Sequence, residues 1–165
     1  MRRGEEAACC DQLSGGEELH SRAGAEHPAG ATAVAVLIAE DEETVRTLAA
    51  TALERAGFLV LPACNGETAL EILRNSGVNV DALLTDVQMG NGITGIALAE
   101  RVLMERPGIA VLVMSGYPDA ELLARERNLR FLPKPFTPAK LLEGVRQVLA
   151  SNIPAHSGNT RKDEE

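Results

Sequence analysis

Five residues along the chain carry side chains that could share one reaction: Glu40, Asp41, Asp86, Ser115 and Lys134. Each sits where a short apolar run ends. Glu40 and Asp41 follow Val36-Leu37-Ile38-Ala39, Asp86 follows Leu83-Leu84-Thr85, Ser115 follows Val113-Met114, and Lys134 follows Phe131-Leu132-Pro133. Three carboxylates gathered at neighbouring strand ends repel. At about 6 Å and an effective dielectric of about 20, each pair costs on the order of 2 to 3 kcal/mol. That cost is offset if a carboxyl takes up a proton, if Lys134 screens the group, or if a divalent cation binds. An all-oxygen ligand set favours Mg²⁺ with several waters kept, with Mn²⁺ as the alternative ion.

A carboxylate beside such a cation can attack a phosphoryl group to give an acyl phosphate. The five residues then divide the work. Asp86 is the nucleophile, Asp41 a direct metal ligand, Glu40 a metal ligand through water, Lys134 a positive clamp, and Ser115 a hydrogen-bonding sensor. Each also has a plainer reading on its own. Acidic residues ahead of a helix usually compensate its N-terminal dipole, an Asp such as Asp86 can be a cap, a Ser after a strand is usually a turn residue, and a Lys between prolines is usually a solvated charge. Joint placement on one sheet edge, where such folds bind ligands, makes chemistry the stronger reading.

That placement depends on the elements. Strands are expected at 33–39, 58–61, 82–85, 109–114 and 131–132, alternating with helices from Glu43 to near Gly57, across 68–74 up to Gly77, at 95–105, at 118–125 and at 138–150. In the first helix Val45, Leu48, Ala49, Ala52 and Leu53 share a face; in the last, Leu141, Leu142, Val145, Val148 and Leu149 point inward. Strict alternation indicates an α/β fold, a doubly wound five-stranded parallel sheet in a three-layer α/β/α sandwich with flavodoxin-like order 2-1-3-4-5. Right-handed crossovers bring all strand carboxyl ends to one edge.

The chain of 165 residues suits one domain, and with aromatic residues at 2% its core must be aliphatic, as in parallel strands covered on both faces. A net charge of −8 argues against nucleic acid as the main partner. No apolar run approaches the length of a membrane span and no signal peptide is evident, so the expectation is a cytoplasmic protein without membrane or nucleic-acid partners. Cys9, Cys10 and Cys64 have neither disulfide-framework nor zinc-site spacing. Residues 1–31 and 152–165 lack apolar periodicity and read as disordered tails around a domain at 32–151.

The segments Val36-Leu37-Ile38-Ala39-Glu40-Asp41-Glu42, Leu83-Leu84-Thr85-Asp86-Val87-Gln88-Met89, Met114-Ser115-Gly116-Tyr117 and Leu132-Pro133-Lys134-Pro135-Phe136 together resemble the receiver domains of two-component response regulators, of the single-domain type, from about Ala33 to Ala150. The resemblance implies a phosphoacceptor that catalyses its own phosphorylation and dephosphorylation rather than a turnover enzyme. Its donor would be a sensor histidine kinase or a histidine phosphotransfer protein, and its output a protein target that the sequence does not identify. It further implies a metal contact from the backbone carbonyl of Gln88, a switch formed by Ser115 and Phe131, a cis Lys134–Pro135 peptide, and tuning of dephosphorylation by Gln88 and Tyr117. Glu40 stands where an Asp is common, and Gly90 where the family usually has Pro.

Three other readings compete with this one. A haloacid-dehalogenase-type phosphohydrolase would need a second acid where Asp86-Val87-Gln88 has none, and a flavodoxin would need a Ser/Thr- and Gly-rich loop where Glu40 and Asp41 stand. A receiver-like interaction module that signals without phosphorylation would be marked by loss of the acids or Lys134, and all are present.

Overall fold

The computed structural model describes residues 33–90 and 92–152. The expected tails, with Cys9 and Cys10, lie outside the described residues apart from Asn152. Five strands alternate with five helices: β1 Ala35–Ala39, α1 Glu43–Arg55, β2 Leu59–Ala63, α2 Gly66–Asn75, β3 Ala82–Asp86, α3 Gly95–Glu105, β4 Ala110–Ser115, α4 Pro118–Glu126, β5 Arg130–Pro133 and α5 Pro138–Ser151. The strands form one parallel sheet in the order β2-β1-β3-β4-β5, as the alternation predicts.

The period-two alternation of each strand sorts its side chains into two cores. Val36, Ile38, Ala82, Leu84, Ala110, Leu112 and Met114 face a layer built from Ala49 and Leu53 of α1 and Leu141, Val145 and Val148 of α5. Leu37, Ala39, Leu83, Val111 and Val113 face the opposite layer, built from α2, α3 and Ala120 of α4. Because β1, β3 and β4 are covered on both sides, almost every residue in them is buried, which is why they read as unbroken apolar runs.

Local chemistry sets the boundaries. Side chains of Asn65, Thr94 and Thr137 accept the N–H groups of Thr68, Ala97 and Lys140 and cap α2, α3 and α5. Gly57 and Gly77, at φ +89° and +69°, turn the chain out of α1 and α2. The edge strand β2 runs two residues beyond the expected end, because Pro62 is tolerated where one strand face has no ladder to complete. α2 starts two residues earlier than expected, at the Asn65 cap. Leu48, expected to face the core, is 44% exposed, in a groove between α1 and α5 that Leu142 and Pro138 also line.

The first residue of α3 packs against the strand that ends at Asp86. A Cβ on Gly95 would lie 1.8 Å from the carbonyl oxygen of Asp86 and 2.7 Å from Thr85 Oγ1. Both are backbone or buried atoms that cannot step aside, so only glycine lets α3 approach this closely. Gly95→Ala is therefore expected to lower stability by about 2 kcal/mol or more, the upper part of the range for overpacking, read as a drop in urea midpoint at unchanged slope.

Candidate functional site

The strand register explains how distant residues meet. Ala39 pairs with Thr85, so Glu40 and Asp86 leave adjacent strands at the same level. Asp86 pairs with Met114 and Ser115 with Pro133, which brings Ser115 and Lys134 to the same edge. One carboxylate oxygen from each of Glu40, Asp41 and Asp86 lies within 4.8 Å of the other two. All five residues singled out for their chemistry thus stand at the carboxyl edge of the sheet.

Lys134 joins two of the acids. Its Nζ donates to Glu40 Oε2 at 2.7 Å and to Asp86 Oδ2 at 3.0 Å. The backbone holds its own part of the arrangement, since Lys134 N–H donates to the Ser115 carbonyl at 2.8 Å. The Lys134–Pro135 peptide is cis, as the resemblance implied. Ser115 is buried and its Oγ accepts the Tyr117 N–H at 3.1 Å, a local turn contact. Asp86 Oδ1 accepts the Gln88 N–H at 3.4 Å, and Asp41 Oδ2 accepts the Gly90 N–H at 3.0 Å.

Burial sets the electrostatics. Glu40 has no exposed surface. Burial pushes its pKa above the usual carboxylate value; the hydrogen bond and charge of Lys134 oppose that push without cancelling it, and the charge of Asp86 adds to it. For Lys134, burial disfavours the ammonium, but hydrogen bonds to Glu40 and Asp86 and their negative charges outweigh it, so its pKa is raised. Its contribution to stability is complete at neutral pH and is lost only as pH rises through that raised, alkaline pKa.

Two of the remaining expected residues are less enclosed. Gln88 is exposed beside Asp86, and Tyr117 is 58% exposed at the start of α4. Phe131 is half-buried on β5, paired with Val113 and packed against the core on the α2–α3–α4 side.

Sequence reasoning missed Arg46. Its guanidinium reaches back from α1 and donates to the carbonyls of Glu40 at 2.8 Å and Asp41 at 3.3 Å, bracing the turn that carries both acids. A cation near a helix N-terminus opposes the helix dipole, and that conflict was the available signal of a local partner. It also missed Thr85, whose Oγ1 donates to the Asp86 carbonyl at 3.1 Å.

Hard oxygen donors brought this close, with one ammonium for two of them, fit a divalent cation of the Mg²⁺ type. Fold and site define a receiver, and the sequence model of the response regulator receiver domain matches residues 36–146. The chain belongs to that family. It is 31% identical over 120 residues to the response regulator receiver protein CpdR of Brucella abortus (strain 2308), covering 69% of this chain and 95% of that protein. It is 35% identical over 117 residues to the sensor kinase CckA of the same strain, but the matched region is 69% of this chain and only 12% of the kinase. The chain likewise spans about a quarter of the transcriptional regulator NtrC of Azospirillum brasilense, 26% of its length. Among solved structures, a response regulator receiver protein from Sinorhizobium medicae WSM419 superposes with a TM-score of 0.66 at 30% identity, over 73% of this chain and 97% of that one. Among the described residues no helix is long and apolar enough to cross a membrane.

With its pKa raised, Glu40 would make protons and a divalent cation competitors for the same carboxylate. In metal-free protein the stability linked to protonated Glu40 is present at low pH and lost as pH rises through its folded-state pKa, whereas a divalent ion requires the ionised form. The rise in melting temperature on adding Mg²⁺ is therefore expected to grow as pH rises above the usual carboxylate range. Glu40→Gln, which cannot titrate, should flatten that dependence, as differential scanning fluorimetry across the pH series would show.

Proposed function

We propose that the chain is a phosphoacceptor of two-component signal transduction, taking a phosphoryl group onto Asp86 from a phosphohistidine of a sensor histidine kinase or histidine phosphotransfer protein. The observation that carries this reading is the single ammonium of Lys134 set between Glu40 and Asp86, in a group of three carboxylates within 4.8 Å of one another. Membership of the receiver family and similarity along nearly the whole of a receiver protein support it.

In the transfer, an Asp86 carboxylate oxygen forms a bond to phosphorus while the bond from phosphorus to the donor imidazole nitrogen breaks. The imidazole leaves with the electron pair and takes up a proton. Bound at Glu40, Asp41, Asp86 and the backbone carbonyl of Gln88, Mg²⁺ (or Mn²⁺) would neutralise charge on the phosphoryl oxygens and on the acids. Lys134 already contacts Asp86 and is placed to shift its ammonium toward the phosphoryl group. Ser115 Oγ accepts from the Tyr117 N–H, which leaves the hydroxyl proton for donation to a phosphoryl oxygen. Phe131, half-buried beside the same edge, is the side chain that would follow Ser115 inward. The signal would then pass to a protein target through the altered surface, from a single domain at 32–151 acting in the cytoplasm.

Incubation with Mg²⁺ and acetyl phosphate, or with a phosphorylated histidine kinase, is expected to add the mass of one phosphoryl group, seen by intact mass spectrometry. Asp86→Asn should add none. A gain that persists in Asp86→Asn would move the acceptor elsewhere, and no gain in wild type with either donor would leave a module that signals by binding alone.

Tyr117 is exposed two residues after Ser115, and Gln88 lies two residues after Asp86; in this reading the Tyr117 ring limits the approach of water to the acyl phosphate. Removing the ring in Tyr117→Ala is expected to shorten the phosphoryl half-life several-fold, followed by loss of the added mass over time. Equal half-lives would show that the ring does not limit water.

A further inference from the structure

The loop between β3 and α3 is tied to the carboxylate group at the residue where its backbone turns left-handed. Gly90 has φ +46°, a region that residues with side chains rarely adopt. Its N–H donates to Asp41 Oδ2 at 3.0 Å, across 49 positions of sequence. Farther along, the same loop is fixed by other bonds: Ile93 N–H donates to Glu67 Oε1 at 3.1 Å, and Gly95 N–H to the Val87 carbonyl at 2.9 Å. The contact with Asp41 is thus made by a segment whose far end is held in place.

Lack of room does not explain the glycine. A Cβ at this position would meet only Asp41 Oδ2, at an ordinary contact distance of 3.9 Å. What the position requires is a positive φ together with a free N–H aimed at Asp41. Proline can supply neither, since its ring fixes φ near −65° and removes the donor.

We propose that the Gly90 N–H is a positioning group for Asp41: it holds one carboxylate oxygen from the backbone and so presents the other to a divalent cation. The inference rests on Asp41 being a metal ligand, as put forward above. An unrestrained aspartate must give up side-chain freedom when it binds an ion; one already held by a fixed donor gives up less. Outer partners of metal-ligating carboxylates typically change affinity by about 10- to 100-fold when lost. The same bond links the loop to the ion, so the Gly90 amide should report occupancy of the site.

Calorimetric titration with Mg²⁺ tests this on the full chain, comparing wild type with Gly90→Asn and Gly90→Pro. Asparagine keeps the N–H and is among the side chains most at ease at positive φ. Gly90→Pro is expected to bind Mg²⁺ about tenfold more weakly, and Gly90→Asn within about threefold of wild type. Equal affinity in wild type and Gly90→Pro, or a loss in Gly90→Asn as large as in Gly90→Pro, would overturn the role of Gly90. A metal-free measurement gives an independent readout: hydrogen exchange of the Gly90 amide should be slower in wild type than in Asp41→Ala, and equal rates would also overturn it. Failure of wild type to bind Mg²⁺ would instead sink the metal reading of the acids, an outcome distinct from equal binding by all three proteins.

Discussion

Lys134 forms ion pairs with both Glu40 and Asp86, and these two bonds organise the carboxyl edge of the sheet. Glu40 lies wholly out of solvent, and a carboxylate there without a cation would face a desolvation cost that no packing could offset. Lys134 meets that need only because β5 lies next to β4, and β3 between β4 and β1, so that residues 94 positions apart come within 2.7 Å. The sheet order and the ion pair therefore depend on each other. One ammonium shared between two acids leaves negative charge in excess, a charge balance that suits a divalent cation.

Much of the fold could be read from the sequence because its signals were strong and local. α3 was bounded correctly at both ends, where Gly95 opens it and Pro107-Gly108 stops it, and β4 announced itself as an uninterrupted apolar run. Errors fell where one residue serves two purposes. β2 runs past the expected end at Leu61 because an edge accepts Pro62, and α2 starts before the expected Thr68 because Asn65 caps it. Leu48 matched the helical period of the inward face, yet it sits at the margin of that face, where α5 does not cover it.

The site was legible in its residue types but not in its supports. Acid, hydroxyl and ammonium positions followed from their places after apolar runs, since a parallel sheet leaves few alternatives. Arg46, Thr85 and Gly90 act through main-chain carbonyls or a main-chain N–H, and such contacts depend on backbone direction, which residue spacing does not encode. The substitution of Gly for Pro at position 90 was visible as a departure, but the bond it permits became visible only with the fold.

Tyr117 opens α4 without a side-chain cap of its own, and its N–H is engaged by the hydroxyl of Ser115. The helix cap therefore lies two residues from a buried side chain at the carboxyl edge of the sheet. Should the Ser115 rotamer change, the Tyr117 amide would have to find a new acceptor or travel with the oxygen. The entry to a surface helix is thus joined to the side chain of one buried serine by a single hydrogen bond.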